Sequence, residues 1–372
     1  MRKKFFVSLI AILILLVGCT SFKDDEYNQD YDYQYMYFSS NGFHDLYESD
    51  NGYYYLLKNN IYYSDKESDN SIILCNKPNC NHNNEECHGY SGYFPEIAPI
   101  IYNNNIYYIN EYLKGQESYL SLFKADLDGT NKKEILYFST PVNDFIIHRG
   151  KVYFSTMPNG MDSGIGVYAY DLKKEKLETV YEDNNNKTYI LSLYAYKNNL
   201  YFEASKTDEK YTSYNEVYNY NIKNNKLDKF PVYDDGISRP VALNDKLYFY
   251  SYNGSDGIEY ITDLDGNIIK ENEVKEIRQY YSDLEYIYKL FEDKNKLEIY
   301  NTENELLKEV YFENFDLSKN IVNFAPGNER AFIYYKSIEN PNISGIKYID
   351  KEELLKGYGK VKDLLEVDYG FN

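Results

Sequence analysis

Three of the four cysteines in the chain lie in one short stretch, together with two of its four histidines. Thiolate sulfur and imidazole nitrogen are ligands of tetrahedral zinc sites, and four such donors complete a structural site. The spacing C-x4-C-x-H-x4-C supplies four donors, although it is not a standard zinc-finger spacing. It therefore predicts one structural zinc. The expected ligands are Cys75, Cys80, His82 and Cys87.

A disulfide is the alternative chemistry for the same cysteines. Outside the cytoplasm, two of Cys75, Cys80 and Cys87 would pair and close a short loop, which leaves the third thiol single. Zinc and a disulfide both stay open at this point. In either case the expected role is to staple a loop, because the sequence indicates no general base or substrate pocket beside the cluster.

The N-terminus has the features of an export signal. Basic residues at positions 2–4 precede an apolar run over 5–17, which is shorter than the roughly 20 residues that span a bilayer. Residues 16–19, Leu-Val-Gly-Cys, resemble the lipobox of bacterial lipoproteins. We therefore predict a lipoprotein signal peptide over 1–18, cleavage before Cys19, and acyl chains such as palmitate on Cys19. Several acyl chains anchor a protein stably to a membrane.

The charge of the chain limits its partners. Loss of residues 1–18 removes three positive charges and no negative ones, so the formal charge falls from −19 to −22. Nucleic acid is not an expected partner, since phosphate binding needs clustered lysine and arginine. Residues 19–34 are polar and acidic after the cysteine, and they predict a flexible tether between the lipid and the folded body.

From residue 35 onwards, short alternating apolar and aromatic runs are separated by turns rich in Asn, Asp and Gly, which is an all-β pattern. One Tyr-rich run recurs seven times, with spacings between 39 and 53 residues. Its central residues are Tyr54, Tyr107, Tyr153, Tyr201, Tyr248, Ile287 and Ile333. A second run that ends in Asp or Asn follows each of them, so each unit holds four strands, a to d.

Four antiparallel strands repeated at this period are the signature of a β-propeller. We predict one domain of seven four-stranded blades over 35–372, with the Cys/His insertion at 75–96. The aromatic b strands are expected to fill the packing between blades. The two Asp-Leu-Asp-Gly segments, at 126–129 and 263–266, are expected to be hairpin turns because they lack the further ligands of a calcium loop.

Loop lengths predict which end of the propeller binds ligands. The b-to-c loops and the d-to-a connections emerge at one end, and the a-to-b and c-to-d turns at the other. The first group contains the longer segments, and crowded long loops on a rigid scaffold are where binding usually resides. These segments are 110–119, 155–164, 204–215, 251–257, 336–345 and the Cys/His insertion.

The chain resembles a group of uncharacterised propeller lipoproteins from low-GC Gram-positive bacteria, which combine a lipobox with a CxKPxCxH insertion in an early blade. Here that motif is Cys75-Asn76-Lys77-Pro78-Asn79-Cys80-Asn81-His82. The likeness covers nearly the whole chain. It implies a cell-surface location and a propeller fold, and it leaves the function open because the group has no assigned activity.

Three functions fit these features. The first is a membrane-anchored binding module for an extracellular glycan, peptide or protein, which is a fold-level analogy. The second is a hydrolase or lyase acting on polysaccharides or peptides, although no GxSxG, HExxH, P-loop or dinucleotide motif is present. The third is a scaffold for the assembly of exported proteins. No catalytic residue can be named from the sequence.

Overall fold

The computed structural model describes residues 26–28, 32, 46–57, 59–92, 99–114, 117–157, 165–183, 188–208, 212–230, 240–253, 256–274, 279–283 and 285–368. It contains seven antiparallel sheets of four strands each, and in every sheet the strands are neighbours in chain order. The sheets are the blades of a seven-bladed β-propeller, as predicted. In each blade the strands a, b, c and d follow one another along the chain.

The strands of the first four blades are as follows. Blade 1 contains β1 (Leu46–Glu48), β2 (Gly52–Leu57), β3 (Asn60–Asp65) and β4 (Ser71–Ile73). Blade 2 contains β5 (Ile100–Tyr102), β6 (Asn105–Lys114), β7 (Glu117–Asp126) and β8 (Lys133–Phe138). Blade 3 contains β9 (Val142–His148), β10 (Lys151–Thr156), β11 (Ile165–Asp171) and β12 (Lys176–Asp183). Blade 4 contains β13 (Thr188–Tyr196), β14 (Asn199–Thr207), β15 (Ser213–Asn221) and β16 (Lys226–Lys229).

The remaining three blades follow the same order. Blade 5 contains β17 (Val241–Leu243), β18 (Lys246–Asn253), β19 (Asp256–Asp263) and β20 (Ile268–Val274). Blade 6 contains β21 (Gln279–Ser282), β22 (Ile287–Phe291), β23 (Lys296–Tyr300) and β24 (Leu306–Tyr311). Blade 7 contains β25 (Asn320–Pro326), β26 (Arg330–Ser337), β27 (Ile343–Asp350) and β28 (Lys362–Asp368), with one short helix, α1 (Lys351–Lys356), between β27 and β28. Within the described residues, no helix is long and apolar enough to cross a membrane.

Turn chemistry explains why the a-to-b connections are so short. Asn103 and Asn104 join β5 to β6 with φ of 47° and 56°, and Asn244 and Asp245 do the same in blade 5. Two successive residues with positive φ match the twist of the flanking strands, and Asn and Asp tolerate this conformation. The two Asp-Leu-Asp-Gly segments are hairpin turns, as predicted, and Gly129 has φ of 81°.

The recurring tyrosine of strand b holds neighbouring blades together. In three junctions its hydroxyl donates to a backbone carbonyl in the c-to-d turn of the next blade, while its ring stays buried. The distances are 3.0 Å for Tyr54 to Leu127, 2.8 Å for Tyr201 to Leu264, and 3.4 Å for Tyr248 to Thr302. The aromatic b strands therefore serve inter-blade packing, as expected from the sequence.

The next residue of strand b packs within its own blade. Because side chains alternate across a strand, this residue lies on the opposite face, where its ring stacks on an aromatic side chain of strand c. Five blades contain such a cross-strand pair, and these pairs stabilise sheets. The pairs are Tyr55–Tyr62, Tyr108–Phe123, Phe154–Tyr168, Phe202–Tyr218 and Phe249–Tyr260, with ring centroids 5.1–6.1 Å apart.

In the part of the chain that the structure describes, the first and last sheets are each built from consecutive strands, and no strand passes from one to the other. Side chains join blade 7 to blade 1 instead. An apolar cluster spans the junction, and Ser71 donates from its hydroxyl to the Leu364 carbonyl at 3.2 Å. The cluster consists of Leu46, Tyr53, Tyr55, Phe332, Ile346, Tyr348 and Leu364.

The two ends of the propeller differ, and we call them the turn end and the hairpin end. The turn end carries the a-to-b and c-to-d turns, and the hairpin end carries the b-to-c hairpins and the d-to-a connections.

Several segments that were expected to be long loops are instead largely paired strand. The β6–β7 pairing continues to Lys114 and Glu117, and the β14–β15 pairing to Thr207 and Ser213. Residues 158–164 lie outside the described residues.

This difference has a physical reason. Polar residues such as Asn110 and Glu111 suggested a loop, yet alternate positions carry aromatic side chains that pair across the hairpin. The Tyr112 and Tyr119 rings stack with centroids 5.7 Å apart, and such cross-strand pairs stabilise a hairpin.

Part of the predicted tether also differs from expectation. Tyr27, Asn28 and Asp32 pack against the turn end of blades 3 and 4, and the Asp32 side chain is fully buried. The acidic composition of this segment gave no sign that one of its carboxylates, that of Asp32, accepts specific backbone hydrogen bonds. Cys19 and the predicted signal peptide lie outside the described residues.

Candidate metal centre

The Cys/His insertion leaves the sheet of blade 1, and hydrogen bonds to Ile61 hold its two ends together. The backbone N–H of Leu74 donates to the Ile61 carbonyl at 2.8 Å, and the Ile61 N–H donates to the Gly89 carbonyl at 2.7 Å. The two ends of the loop are therefore held beside the first residues of β3. The residues between Leu74 and Gly89 form a closed loop outside the sheet of blade 1.

Four side chains of this loop converge on one point. The ligand atoms of Cys75, Cys80, His82 and Cys87 all lie within 4.8 Å of one another. His82 Nδ1 lies 3.3 Å from Cys87 Sγ, close to the roughly 3.5–3.8 Å separation that tetrahedral zinc imposes on its ligands. Cys87 is buried and the other three side chains are partly exposed. The three cysteines are free thiols in this structure.

Backbone N–H groups surround the sulfur atoms. Burial alone would raise the pKa of Cys75, but the N–H groups of Lys77 and His88, assisted by the neighbouring thiols, outweigh it and lower that pKa. Burial raises the pKa of Cys87 to about 12, although the Gly89 N–H acts in the opposite direction. At both cysteines, therefore, the backbone N–H of the residue two positions later donates to the sulfur. Such outer contacts orient metal ligands and stabilise thiolates.

The backbone is strained at the same place. Asn79 and His82 have φ of 61° and 55°. Asn and His are among the non-glycine residues that adopt this left-handed conformation most often, although it costs either of them more than it costs glycine. Strain of this kind persists where surrounding structure enforces it, and it clusters at functional sites. Here it turns the His82 imidazole towards the three sulfurs.

The loop also packs on blade 2. The Tyr108 hydroxyl donates to the His88 carbonyl at 3.2 Å. Gly129 lies against His88, and a Cβ added there would be 3.1 Å from the His88 Cβ. Gly92 leaves no space for a side chain either, because its Cβ would be 2.7 Å from the Glu111 carbonyl oxygen. The loop therefore bridges blades 1 and 2. It contacts blade 2 near the turn end, at Gly129, and near the hairpin end, at Glu111.

A row of tyrosines continues beyond the loop on the same face of blade 2. Alternating residues of β6 share a face, so Tyr112 follows Tyr108 and Asn110, which lie under the loop. The Tyr112 hydroxyl donates to Glu134 Oε2 at 3.3 Å. The Tyr119 ring lies 5.7 Å from that of Tyr112 and 5.9 Å from that of Tyr137, whose side chain is 49% exposed. We call Tyr112, Tyr119 and Tyr137 the tyrosine surface.

Two grooves of comparable size lie at the turn end. One, of about 650 Å³, separates the outer strands of blades 2 and 3 and includes Tyr107, Lys124 and Glu134 in its walls. The other, of about 670 Å³, lies between blades 6 and 7. Among the described residues, burial raises the pKa of two carboxyl groups, Asp32 and Glu292, and neither lines these grooves.

The structure describes some of the site residues predicted from the sequence, but not all of them. The structure brings Cys75, Cys80, His82 and Cys87 together, while Cys19 lies outside the described residues. Sequence reasoning missed the surrounding shell because it consists of backbone N–H groups and of residues distant in the chain. Lys132 is one of these, with Nζ 4.4 Å from the centre of the Phe123 ring, and burial lowers its pKa to about 8.

The chain is therefore a seven-bladed propeller with a Cys/His cluster suited to a metal ion. No protein-family model matches it, and comparison with curated proteins finds no match. Solved structures do resemble it. The β-propeller domain of the trilobed protease from Pyrococcus furiosus, which has an open velcro topology, is 12% identical with a TM-score of 0.54. That comparison covers 89% of this chain and 99% of the domain.

Two further structures illustrate the range of proteins that contain this fold. Porphyromonas gingivalis dipeptidyl peptidase 4 is 12% identical with a TM-score of 0.52, over 89% of this chain and 54% of the peptidase, so the chain spans about half of that enzyme. An oligogalacturonate lyase from Vibrio parahaemolyticus is 13% identical with a TM-score of 0.50, over 87% and 90% of the two chains. At such identities the likeness shows the fold alone.

Proposed function

We propose that this protein is a lipoprotein, anchored outside the cell membrane through Cys19, that binds a glycan, peptide or protein partner at the hairpin end of its propeller. The observation that carries the proposal is the tyrosine surface, which is formed by the projecting β6–β7 hairpin and the neighbouring strand β8. From Tyr112 and Tyr119 outwards, this hairpin extends beyond both neighbouring strands of its blade. It places stacked aromatic rings where a ligand can reach them.

Aromatic side chains are well suited to this role. Tyrosine offers a large apolar face and a hydroxyl with little conformational entropy to lose, which is why it is enriched at binding surfaces. Other apolar side chains are exposed at the same end, including Tyr189, Tyr214 and Ile338. The a-to-b turns at the opposite end are formed mainly by polar residues. Apolar side chains are also exposed beside the c-to-d turns, at Leu177, Ile268 and Leu306, so the stacked rings of the tyrosine surface, and not apolar exposure by itself, favour the hairpin end.

The Cys/His cluster has a structural role in this proposal. One zinc ion held by Cys75, Cys80, His82 and Cys87 would close the loop that covers the inner part of the same sheet face. The loop then fixes the border of the tyrosine surface through Tyr108 and Asn110. Structural zinc sites of this kind stabilise folded segments that have no core of their own.

Binding can be tested by ligand-dependent stability. Soluble peptidoglycan fragments, neutral oligosaccharides and short peptides would be titrated while the Tm is followed, since a ligand that binds only the folded state raises it. We expect a Tm gain with one of these classes, and its loss in the variant Tyr112→Ala/Tyr137→Ala. Tyr311→Ala is the matched control, because Tyr311 is 56% exposed on β24 of another blade.

The outcome separates the proposed face from the alternatives. A Tm gain that survives in Tyr112→Ala/Tyr137→Ala would place binding elsewhere. Product formation from a polysaccharide or peptide would favour the hydrolase or lyase alternative. The anchor is tested separately with Cys19→Ser, which should release the protein from the membrane fraction into the medium.

A further inference from the structure

The described residues of the N-terminal segment are fastened to the propeller. The Asp32 carboxylate accepts a hydrogen bond from the Arg149 N–H at 3.0 Å and another from the Asn28 N–H at 2.8 Å. His148 Nδ1 lies 3.8 Å from the same carboxylate, and both side chains are fully buried. The Tyr27 ring packs 5.8 Å from the His148 ring and 5.9 Å from that of Tyr196. We call Tyr27, Asn28 and Asp32 the strap.

The strap sits at one defined place. His148 and Arg149 end β9 and begin the a-to-b turn of blade 3, and Tyr196 ends β13 before the equivalent turn of blade 4. Both turns belong to the turn end. The strap therefore attaches to the end opposite the tyrosine surface.

The turns around the strap are basic, although the whole chain has a formal charge of −19. In blades 3 and 4, eight cationic side chains lie at the turn end, and Lys173, Lys174, Lys176, Lys223 and Lys226 are exposed. Five acidic side chains lie in the same turns or pair with these cations. The strap region adds Asp32 and the exposed Glu26, so eight cations and seven acids occupy this end, which is far less acidic than the rest of the chain. The cations are Arg149, Lys151, Lys173, Lys174, Lys176, Lys197, Lys223 and Lys226; the first five acids are Asp171, Glu175, Glu178, Asp228 and Asp245.

We propose that the strap and these basic turns dock the turn end of blades 3 and 4 onto a membrane with anionic headgroups, so that the hairpin end faces away from the membrane. This proposal rests on the lipid anchor at Cys19. Seven residues separate Cys19 from Tyr27, and the eight Cα-to-Cα steps between the two reach at most about 28 Å when fully extended. The first fastened residue of the propeller is thus kept close to the lipid.

Electrostatics supports the same orientation. Anionic lipids attract lysine and arginine near the surface, and they repel acidic surfaces. The acidic remainder of the propeller would turn away from such a membrane, while the turns of blades 3 and 4 would approach it. Exposed ion pairs such as Lys226–Asp228 are weak, so headgroups can compete for these lysines.

The test measures distance to the membrane at two positions of one blade. The full protein, purified from a lipidating bacterium, would carry a fluorescent noncanonical amino acid at Asn224 or at Ser213, which lie at opposite ends of blade 4. It would be placed on vesicles of phosphatidylcholine with phosphatidylglycerol and acceptor-labelled headgroups. Nine residues of β15 separate the ends by about 30 Å, so we expect energy transfer from Asn224 to exceed that from Ser213 about twofold or more.

Variants separate the strap from the basic turns. Asp32→Ala and, independently, Tyr27→Ala should abolish the difference between the two positions, with unchanged far-UV circular dichroism as the check on folding. Lys173→Gln/Lys223→Gln should reduce it on anionic vesicles, while Lys356→Gln in blade 7 should not. Equal transfer from Asn224 and Ser213 in the unaltered protein, or a difference that survives Asp32→Ala and Tyr27→Ala, would overturn the proposal.

Failure of the anchor would be recognised separately. Mass spectrometry of the N-terminal peptide reports whether Cys19 carries lipid. If it carries none, the chain beginning at residue 19 is coupled through that residue to a maleimide lipid, and the same comparison of Asn224 with Ser213 decides the orientation.

Discussion

The guanidinium of Arg330 lies 2.6 Å from the Asp69 carboxylate, and this contact joins the last blade of the propeller to the first. The same guanidinium lies 4.3 Å from the centre of the Tyr348 ring, whose hydroxyl also donates to Asp69 at 2.6 Å. Since blades 7 and 1 share no strand among the described residues, these side chains and the apolar cluster beside them join the two blades.

Loss of this contact should destabilise the whole propeller. Arg330→Met keeps the apolar stem of the side chain but removes its charged hydrogen bonds and its contact with the Tyr348 ring. We expect the free energy of unfolding to fall by about 2 kcal/mol, measured by urea denaturation. Lys356→Met, which removes an exposed pair with Glu352, should leave the free energy of unfolding nearly unchanged. Equal effects would mean that the apolar cluster alone joins the two blades.

The recurring tyrosine hydroxyl should matter only where it has a partner. Tyr201 and Tyr153 occupy equivalent positions and are each 1% exposed. The Tyr201 hydroxyl donates to the Leu264 carbonyl, whereas that of Tyr153 has no hydrogen-bond partner among the described residues. Tyr201→Phe should cost about 1 kcal/mol and Tyr153→Phe less than about 0.5 kcal/mol. Thermal unfolding of the two variants measures this, and a larger loss from Tyr153→Phe would contradict it.

Acid should weaken one ion-pair network in a defined pH window. Burial raises the pKa of Glu216, but Lys206, Lys229 and the Tyr218 hydroxyl outweigh it and lower the pKa to about 2. A carboxyl with a depressed folded-state pKa stabilises the fold above its unfolded pKa of 4.5 and loses that contribution as the pH falls towards 2. After allowance for solvent screening, the effect amounts to about 1–2 kcal/mol.

Glu216→Gln isolates this contribution. Its free energy of unfolding should lie about 1–2 kcal/mol below that of the unaltered protein at pH 7, and the two curves should converge as the pH approaches 2. Glu339→Gln, at a side chain that is 74% exposed, should leave the pH dependence unchanged. A constant offset between the Glu216→Gln and unaltered curves would contradict the assignment.

The blades could be predicted because their signal is local. The run centred on Tyr54 and its equivalents repeats with turn residues of fixed chemistry, and both features follow from strand alternation and turn geometry. The cluster of Cys75, Cys80, His82 and Cys87 was recognisable for a similar reason, since the four donors lie within 13 residues of sequence.

The parts that escaped prediction depend on distant partners. Asp32 meets Arg149 across 117 positions, and Arg330 meets Asp69 across 261. Neither contact changes the local pattern of polarity, so an acidic tether and polar turns were all that the sequence indicated. The extended β6–β7 hairpin escaped because its polar residues conceal the pairing of Tyr112 with Tyr119.

The most direct test of the metal centre is the zinc content of the protein, measured together with its accessible thiols. The body from residue 20 onwards would be purified without added metal under non-oxidising conditions. The variants are Cys80→Ser, which removes a ligand, and His88→Gln, a matched change in the same loop outside the cluster.

We expect one zinc per chain in the unaltered protein and in His88→Gln, and none in Cys80→Ser, whose Tm should fall because metal binding and loop folding are coupled. Absence of metal with one free thiol per chain would mean a disulfide and a single cysteine, and it would contradict the metal centre.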